Sequence, residues 1–225
     1  MKRLVIVNAD DYGLSPGTDE GIRACAAAGV VTSVSVLALR ADRDGIARLL
    51  DAAPDLGLGL HADLTSDLRS HRAGDAARRI REQWECFHEV AGRAPDHADT
   101  HKHSHRDDAE VLEALAALGV PVRATGGHMR RVLRRAGLEC SDHFAGGVGP
   151  RPWWTARRFA ETLRRMSSGI TEIMCHPGRG DDVPEILSYR GQRAGELRVF
   201  SSRAWVQRMT SLQIQRTTFR ALGAG

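Results

Sequence analysis

Leu4-Val5-Ile6-Val7-Asn8-Ala9-Asp10-Asp11-Tyr12-Gly13 is an apolar run that breaks abruptly into an amide and two carboxylates. Leu4–Val7, rich in β-branched side chains, predicts a strand buried on both faces, as the strands of a parallel sheet are. Pro16 and Gly17 then open a helix that runs to about Ala28. The alternation repeats outward from there. Thr32–Leu37 predicts a second strand, Asp44–Ala53 a helix stopped by Pro54, and Gly57–Leu60 a third strand leading into His61. An Arg-rich helix over about Ala73–Val90 precedes a less apolar fourth strand, His97–His103. Asp108–Leu118 predicts a helix, Val120–Ala124 a strand, Thr155–Met166 a helix and Thr171–Cys175 a strand. A helix near Ala204–Met209 and a strand over Leu212–Phe219 complete the pattern. Strand and helix in alternation imply an α/β fold with mostly parallel strands, either open and doubly wound or closed into a barrel. No linker divides residues 1–225, so a single domain is expected.

Composition removes several function classes. Hydrophobic residues at 42% and charged residues at 27%, with glycine and proline spread along the chain, exclude disorder and fibrous repeats. A chain of 225 residues buries enough surface to fold without a metal or disulfides, so a metal would be there for chemistry. Lys+Arg exceeds Asp+Glu by only 32 to 28, and the arginines are scattered with no basic block, which argues against a nucleic-acid partner. Cys25, Cys86, Cys140 and Cys175 form no CxxC pair, so neither a cysteine zinc site nor a disulfide framework is expected. The apolar run near the N-terminus is too short for a signal peptide, and no stretch is long enough for a membrane span, which points to a cytoplasmic protein. Histidine is the informative residue: ten in all, with His97, His101, His103 and His105 inside nine positions.

Adjacent carboxylates at Asp10 and Asp11, straight after a buried strand, require a cation or donors to compensate them. Consecutive strand residues point in opposite directions, so the two can take different tasks at one mouth; a solvated turn with an N-capping aspartate is the alternative. His61 ends the third strand, where a lone histidine also serves as a hydrogen-bonded structural residue. In Asp99-Thr100-His101-Lys102-His103-Ser104-His105, alternate residues of an extended chain project to one face and can meet a divalent ion. Three imidazoles would crowd one ion, so one direct ligand with supporting or substrate-facing neighbours is expected; an adventitious surface loop is the alternative. Met174-Cys175-His176-Pro177-Gly178 ends a strand in a histidine and a Pro-Gly turn. Polar residues at the C-terminal ends of different strands are where barrels and open α/β sheets build active sites. Gly146–Pro152 and Gly178–Pro184 are expected to be loops lining that mouth. Trp153 and Trp154 can stack on a sugar ring or pack beneath a loop, and Arg193 with Glu196, at i,i+3 spacing, reads as a surface pair.

Asn8–Gly13, Gly59-Leu60-His61, Asp99–His105 and Cys175–Gly178 resemble, in order and context, the motifs of the YdjC-like carbohydrate deacetylases. That family includes chitooligosaccharide deacetylases and a hopanoid-associated branch, and the likeness extends to Tyr189, Arg193 and Glu196-Leu197. The resemblance implies a distorted (β/α) barrel of the glycoside hydrolase/deacetylase type and a metal-dependent hydrolase acting on a linear amide C-N bond. It would release acetate and a free amine from an acetylated amino sugar, oligosaccharide or glycoconjugate. The resemblance further implies that Asp11, His61 and His101 hold one divalent metal ion, that Asp10 is the general base and His176 the general acid, and that the chain can form a homodimer. Mg2+ is the ion it suggests, while a set of two histidines and one aspartate also suits Zn2+. The segment from His61 to His97 is short for the family, which implies a reduced substrate loop. Two other classes remain open: a phosphoesterase-type metallohydrolase, although those often begin with His-x-His rather than Asp-Asp, and a non-enzymatic sugar- or metal-binding protein.

Overall fold

The computed structural model describes residues 2–64, 75–106, 108–183 and 189–222. His71 and the expected helix start at Ala73 lie outside the described residues. Among the described residues, seven parallel strands form one sheet: β1 (Arg3–Tyr12), β2 (Ser33–Val36), β3 (Gly57–Ala62), β4 (Ala98–Thr100), β5 (His143–Ala145), β6 (Gly169–Cys175) and β7 (Ile214–Arg216). Their order is β4-β3-β2-β1-β6-β5, with β7 beside the start of β1. The apolar run of β1 is central because it serves three neighbours. One edge carries β6 from Arg3 to Ala9, while the other pairs with β7 at Arg3–Val5 and with β2 from Asn8 onward.

The outer edges of the sheet curl toward each other. Val122 bridges to Ala98 beyond β4, and its amide donates to the Glu139 carbonyl at 3.1 Å, four residues before β5 begins. The result is a distorted, open (β/α) barrel. Packed with it are α1 (Pro16–Ala27), α2 (Arg43–Ala52), α3 (Asp75–Ala91), α4 (Ala109–Ala116), α5 (Gly127–Arg135), α6 (Ala156–Arg165), α7 (Gln192–Phe200) and α8 (Ala204–Ser211). Local chemistry sets the helix starts: Ser15 accepts from the Thr18 amide with Pro16 following, and Asp42 and Thr155 cap α2 and α6 in the same way.

Several expectations need correction. The fourth strand ends at Thr100 rather than His103, because Lys102 and His103 adopt left-handed backbone (φ 57° and 54°) within a tight 3-10 segment, His101–Arg106. The imidazoles after His101 therefore do not share one face of an extended chain. Of Val120–Ala124 only Val122 makes a bridge, and the last strand shrinks to Ile214–Arg216. Two elements, α5 and β5, have no counterpart in the sequence reading, and α7 is foreshadowed only by the i,i+3 spacing of Arg193 and Glu196. In α7 the buried residues are Arg193, Glu196, Val199 and Phe200, so charged and apolar positions share the interior and no amphipathic stripe shows.

Gly59 marks the tightest point of the interior. A Cβ there would lie 2.1 to 2.4 Å from the His97 ring, which is stacked on Phe219 with centroids 3.8 Å apart and bonded through Nε2 to the Ser35 hydroxyl at 3.1 Å. Held on both sides, the ring has nowhere to go. Gly59→Ala is expected to cost about 3 kcal/mol by overpacking and to lower Tm by about 6–12 °C. An unchanged Tm in thermal unfolding would mean that His97 is not confined as described.

Candidate active site

A cleft of about 570 Å³ opens at the C-terminal ends of the strands and is lined by Asp10, Asp11, His61, His101 and His176, the five residues singled out in the sequence. The end of β1 explains how neighbouring aspartates both reach it. The pairing of β1 with β2 slips between Ala9 and Tyr12, and Asp11 takes a left-handed backbone (φ 74°), a conformation aspartate tolerates better than most residues. This bulge re-aims Asp11 instead of leaving it opposed to Asp10.

Asp11 Oδ1 stands 3.1 Å from His61 Nε2 and 2.9 Å from His101 Nδ1, and the two imidazole nitrogens are 3.4 Å apart. Metal bonds of about 2.0–2.2 Å at ordinary coordination angles place ligand atoms roughly 3–3.5 Å apart, so the three donors fit one divalent ion. Their partners fix which atom each presents. Arg193, reaching down from α7, binds the other carboxylate oxygen of Asp11 at 2.5 Å, and His61 Nδ1 donates to Asp99 at 2.5 Å, leaving Nε2 turned inward. Around His61 itself the charges are mostly acidic. Burial disfavours an imidazolium at His61, yet Asp99, Asp11 and Asp10 together raise its pKa to about 10, which is the demand a divalent cation would meet. Asp11 is held well below the ordinary carboxylate range: burial opposes this, but Arg193, His101 and His61 outweigh it.

Asp10 belongs to a different network. Arg123, whose side chain is fully buried, clasps both Asp10 oxygens at 2.7 Å and also binds Asp99 Oδ2 at 2.9 Å and Glu172 Oε1 at 2.6 Å. Asn8 donates to Asp10 Oδ1 at 2.8 Å and to the Ser35 hydroxyl, which in turn donates to Asp99. Against the cost of burial, Arg123 keeps the Asp10 carboxyl ionised below its usual range, while burial pushes Glu172 up to about 7. Asp10 is thus a fixed, buried carboxylate that faces the cleft without belonging to the Asp11, His61 and His101 cluster.

His176 leaves β6 with Nε2 3.9 Å from Asp10 Oδ2, and its backbone amide donates to Glu196 at 2.6 Å. Burial lowers its pKa although Asp11 and Asp10 work against the shift. Glu196 is buried and also accepts from the Tyr189 hydroxyl at 2.6 Å and from the Trp154 amide at 3.3 Å. The Arg193 and Glu196 pair is therefore not on the surface, and its members serve Asp11 and His176 separately. Trp154 is also placed in the core, its indole donating to the Met174 carbonyl and packing on Phe159 and Phe200. His105 is a buttress: its Nε2 donates to the Arg123 carbonyl, Nδ1 accepts from Thr100, and burial lowers its pKa to about 4. Lys102 and His103 line the cleft at a backbone cost of about 1–2 kcal/mol each, and such strain persists where the surroundings over-determine it.

Sequence pattern alone assigns no role to Arg123, Asp99 or Glu172 and does not show that Arg193 and Glu196 are buried. Arg123 gave one signal, a lone arginine inside the apolar run Val120-Pro121-Val122-Arg123-Ala124.

A family model described as YdjC-like protein matches residues 4–211. The carbohydrate deacetylase of Geobacillus stearothermophilus is 32% identical, covering 98% of this chain and 98% of that protein. The chitooligosaccharide deacetylase of Klebsiella pneumoniae (strain 342) is 30% identical over 91% of this chain and 93% of its own. Among solved structures, a putative cellobiose-phosphate cleavage protein from Enterococcus faecalis V583 superposes with a TM-score of 0.81 at 20% identity, covering 99% of both chains. A family 4 carbohydrate esterase from Streptomyces lividans, solved in complex with acetate, gives 0.63 at 11% identity over 96% of this chain and 92% of its own.

Proposed function

The chain belongs to the YdjC-like protein family, and from that premise we propose that it is a carbohydrate deacetylase, hydrolysing the acetamide of an acetylated amino sugar with one divalent ion. The observation that carries this is the convergence of Asp11 Oδ1, His61 Nε2 and His101 Nδ1 beside Asp10, a carboxylate outside that donor set. A divalent ion bound by the three would acidify a water and polarise a carbonyl oxygen, the two activations amide hydrolysis needs at neutral pH. Mg2+ is the proposed ion by family, and Zn2+ the alternative by donor type.

The chain's own residues supply the proton traffic. Asp10 Oδ2, oriented by Arg123, takes the proton from the attacking water as the acetyl carbon becomes tetrahedral. That oxygen is 3.9 Å from His176 Nε2, too long for a hydrogen bond but within a small side-chain adjustment of one, so the imidazole would be charged from Asp10 rather than from solvent, which matters because burial disfavours a standing imidazolium. The same nitrogen then hands the proton to the departing amine, which is too basic to leave as an anion. His176→Ala is accordingly expected to slow an N-acetyl amide about 10²–10³-fold while an activated acetyl ester, whose leaving group needs no proton, loses far less. Equal losses on both substrates would remove His176 from the acid role.

The substrate class we propose is N-acetylated glucosamine oligomers or related glycoconjugates, in a cleft whose size is ordinary for small ligands. Residues 1–225 are read as one catalytic unit, and the four unpaired cysteines support a reducing, cytoplasmic setting. No helix among the described residues is long and apolar enough to cross a membrane. Metal-supplemented protein should release acetate from N-acetylglucosamine oligomers. Bound ion with no acetate from any N-acetyl sugar would favour a binding protein instead.

A further inference from the structure

We propose that His103 is a specificity residue that hydrogen-bonds a hydroxyl of the sugar ring whose acetamido group is being cleaved. This rests on the deacetylase assignment and deepens it. His103 lines the cleft together with Asp10, His101 and His176. Its ring stands edge-on to Phe144, and the guanidinium of Arg123, which clasps Asp10, lies over the same Phe144 ring at 6.0 Å, so the imidazole and the base line one cleft.

His61 and His101 are turned on Asp11, and His176, although its Nδ1 is also without a partner, faces Asp10 with Nε2; His103 faces no carboxylate at ion-pair distance among the described residues. His103 Nδ1 is buried with no partner, and the ring's other contacts are edge-on to His105 and Phe144, with no hydrogen bond among the described residues. A buried polar atom left without a partner is uncommon unless a ligand or water completes it. The backbone is also committed to this placement: Lys102 and His103 are both left-handed, while His105, two residues on, is pinned to Thr100 and the Arg123 carbonyl. The turn therefore presents the ring to the cleft instead of letting it follow the strand.

The chemistry of the wall selects the ligand. An imidazole nitrogen without a protein partner can donate to a hydroxyl or accept from one, according to the tautomer. Phe144 beside it offers an apolar ring surface, which suits the C–H faces of a pyranose. Together they match the edge and face of a neutral sugar rather than the acetyl group, which must lie against Asp10 and the Asp11, His61 and His101 cluster.

The test compares an N,N′-diacetylated glucosamine dimer with 4-nitrophenyl acetate, which carries an acetyl group but no sugar ring. For metal-supplemented His103→Ala, KM for the dimer should rise about tenfold with little change in kcat, since a contact made equally in ground and transition states acts on KM. The loss in kcat/KM should be several-fold larger on the dimer than on the ester. His103→Asn, whose side chain tolerates left-handed backbone and keeps a hydrogen-bonding amide, should recover part of the affinity and guards against misfolding of the alanine variant. An unchanged KM for the dimer in both folded variants, or equal losses on dimer and ester, would overturn the assignment of His103 alone. A wild-type protein that releases no acetate from the dimer would instead remove the deacetylase assignment on which it rests.

Discussion

Asp10→Asn is expected to lose about 10²–10⁴ in kcat on an N-acetylated sugar while still binding its divalent ion within a few-fold of wild type. The two effects separate because the Asp10 carboxylate is not one of the three converging donors, Asp11 Oδ1, His61 Nε2 and His101 Nδ1. Asparagine preserves the size of the side chain and can still accept from Arg123, but it cannot take a proton from water. Kinetics paired with calorimetric metal titration check both halves. Full activity in Asp10→Asn would show that another group removes the proton, whereas loss of the ion would mean that Asp10 helps to hold it.

Arg123→Met is expected to be the most damaging single change to the fold. It leaves Asp10, Asp99 and Glu172, three carboxyl groups on β1, β4 and β6, buried without their shared cation. Breaking a buried ion pair from one side costs about 3–5 kcal/mol, so the variant should sit at or below the margin of stability of an ordinary domain. Its pH dependence should also differ from that of the wild type. In the wild type the folded-state pKa values of Asp10 and Asp99 are depressed, against burial, chiefly by Arg123. They therefore add stability above the unfolded carboxylate range near pH 4, which is lost as pH falls through the folded values. Without Arg123 burial dominates and the same groups favour protonation. The stability gap between variant and wild type, read from urea unfolding at pH 8 and pH 5, should narrow at the lower pH. A gap that stayed constant would mean that Arg123 stabilises through packing alone.

The parts legible in the sequence share a cause. Asp10, Asp11, His61 and His176 each end a short apolar run, so the alternation that announces the barrel also marks its mouth. His101 came with them, but for a reason the structure changes. Imidazoles at every second position imitate strand periodicity, whereas the chain turns at Lys102 and His103, sending His105 beneath the site and His103 into the cleft. The supporting charges were harder to read. Arg123 is one of many arginines; its place inside an apolar run sets it apart from those on exposed helices, but the three carboxylates it binds lie far away in the chain. Arg193 and Glu196 have the spacing of a surface pair, and a helix buried on its charged side leaves no stripe to correct that impression. Neutralising a buried carboxylate depends on which residues the fold brings together from 182 positions away, as between Arg193 and Asp11, and local pattern carries no trace of it.

The central claim is that the Asp11, His61 and His101 site serves the hydrolysis of a sugar acetamide. Its most direct test is the quantitation of acetate and free amine from N-acetylglucosamine oligomers, before and after chelation and again after stoichiometric return of Mg2+ or Zn2+. Equimolar acetate and amine, lost on chelation and restored by one ion per chain, is the predicted result. Acetate release that survives complete removal of the ion, or no release from the reconstituted protein, would contradict it.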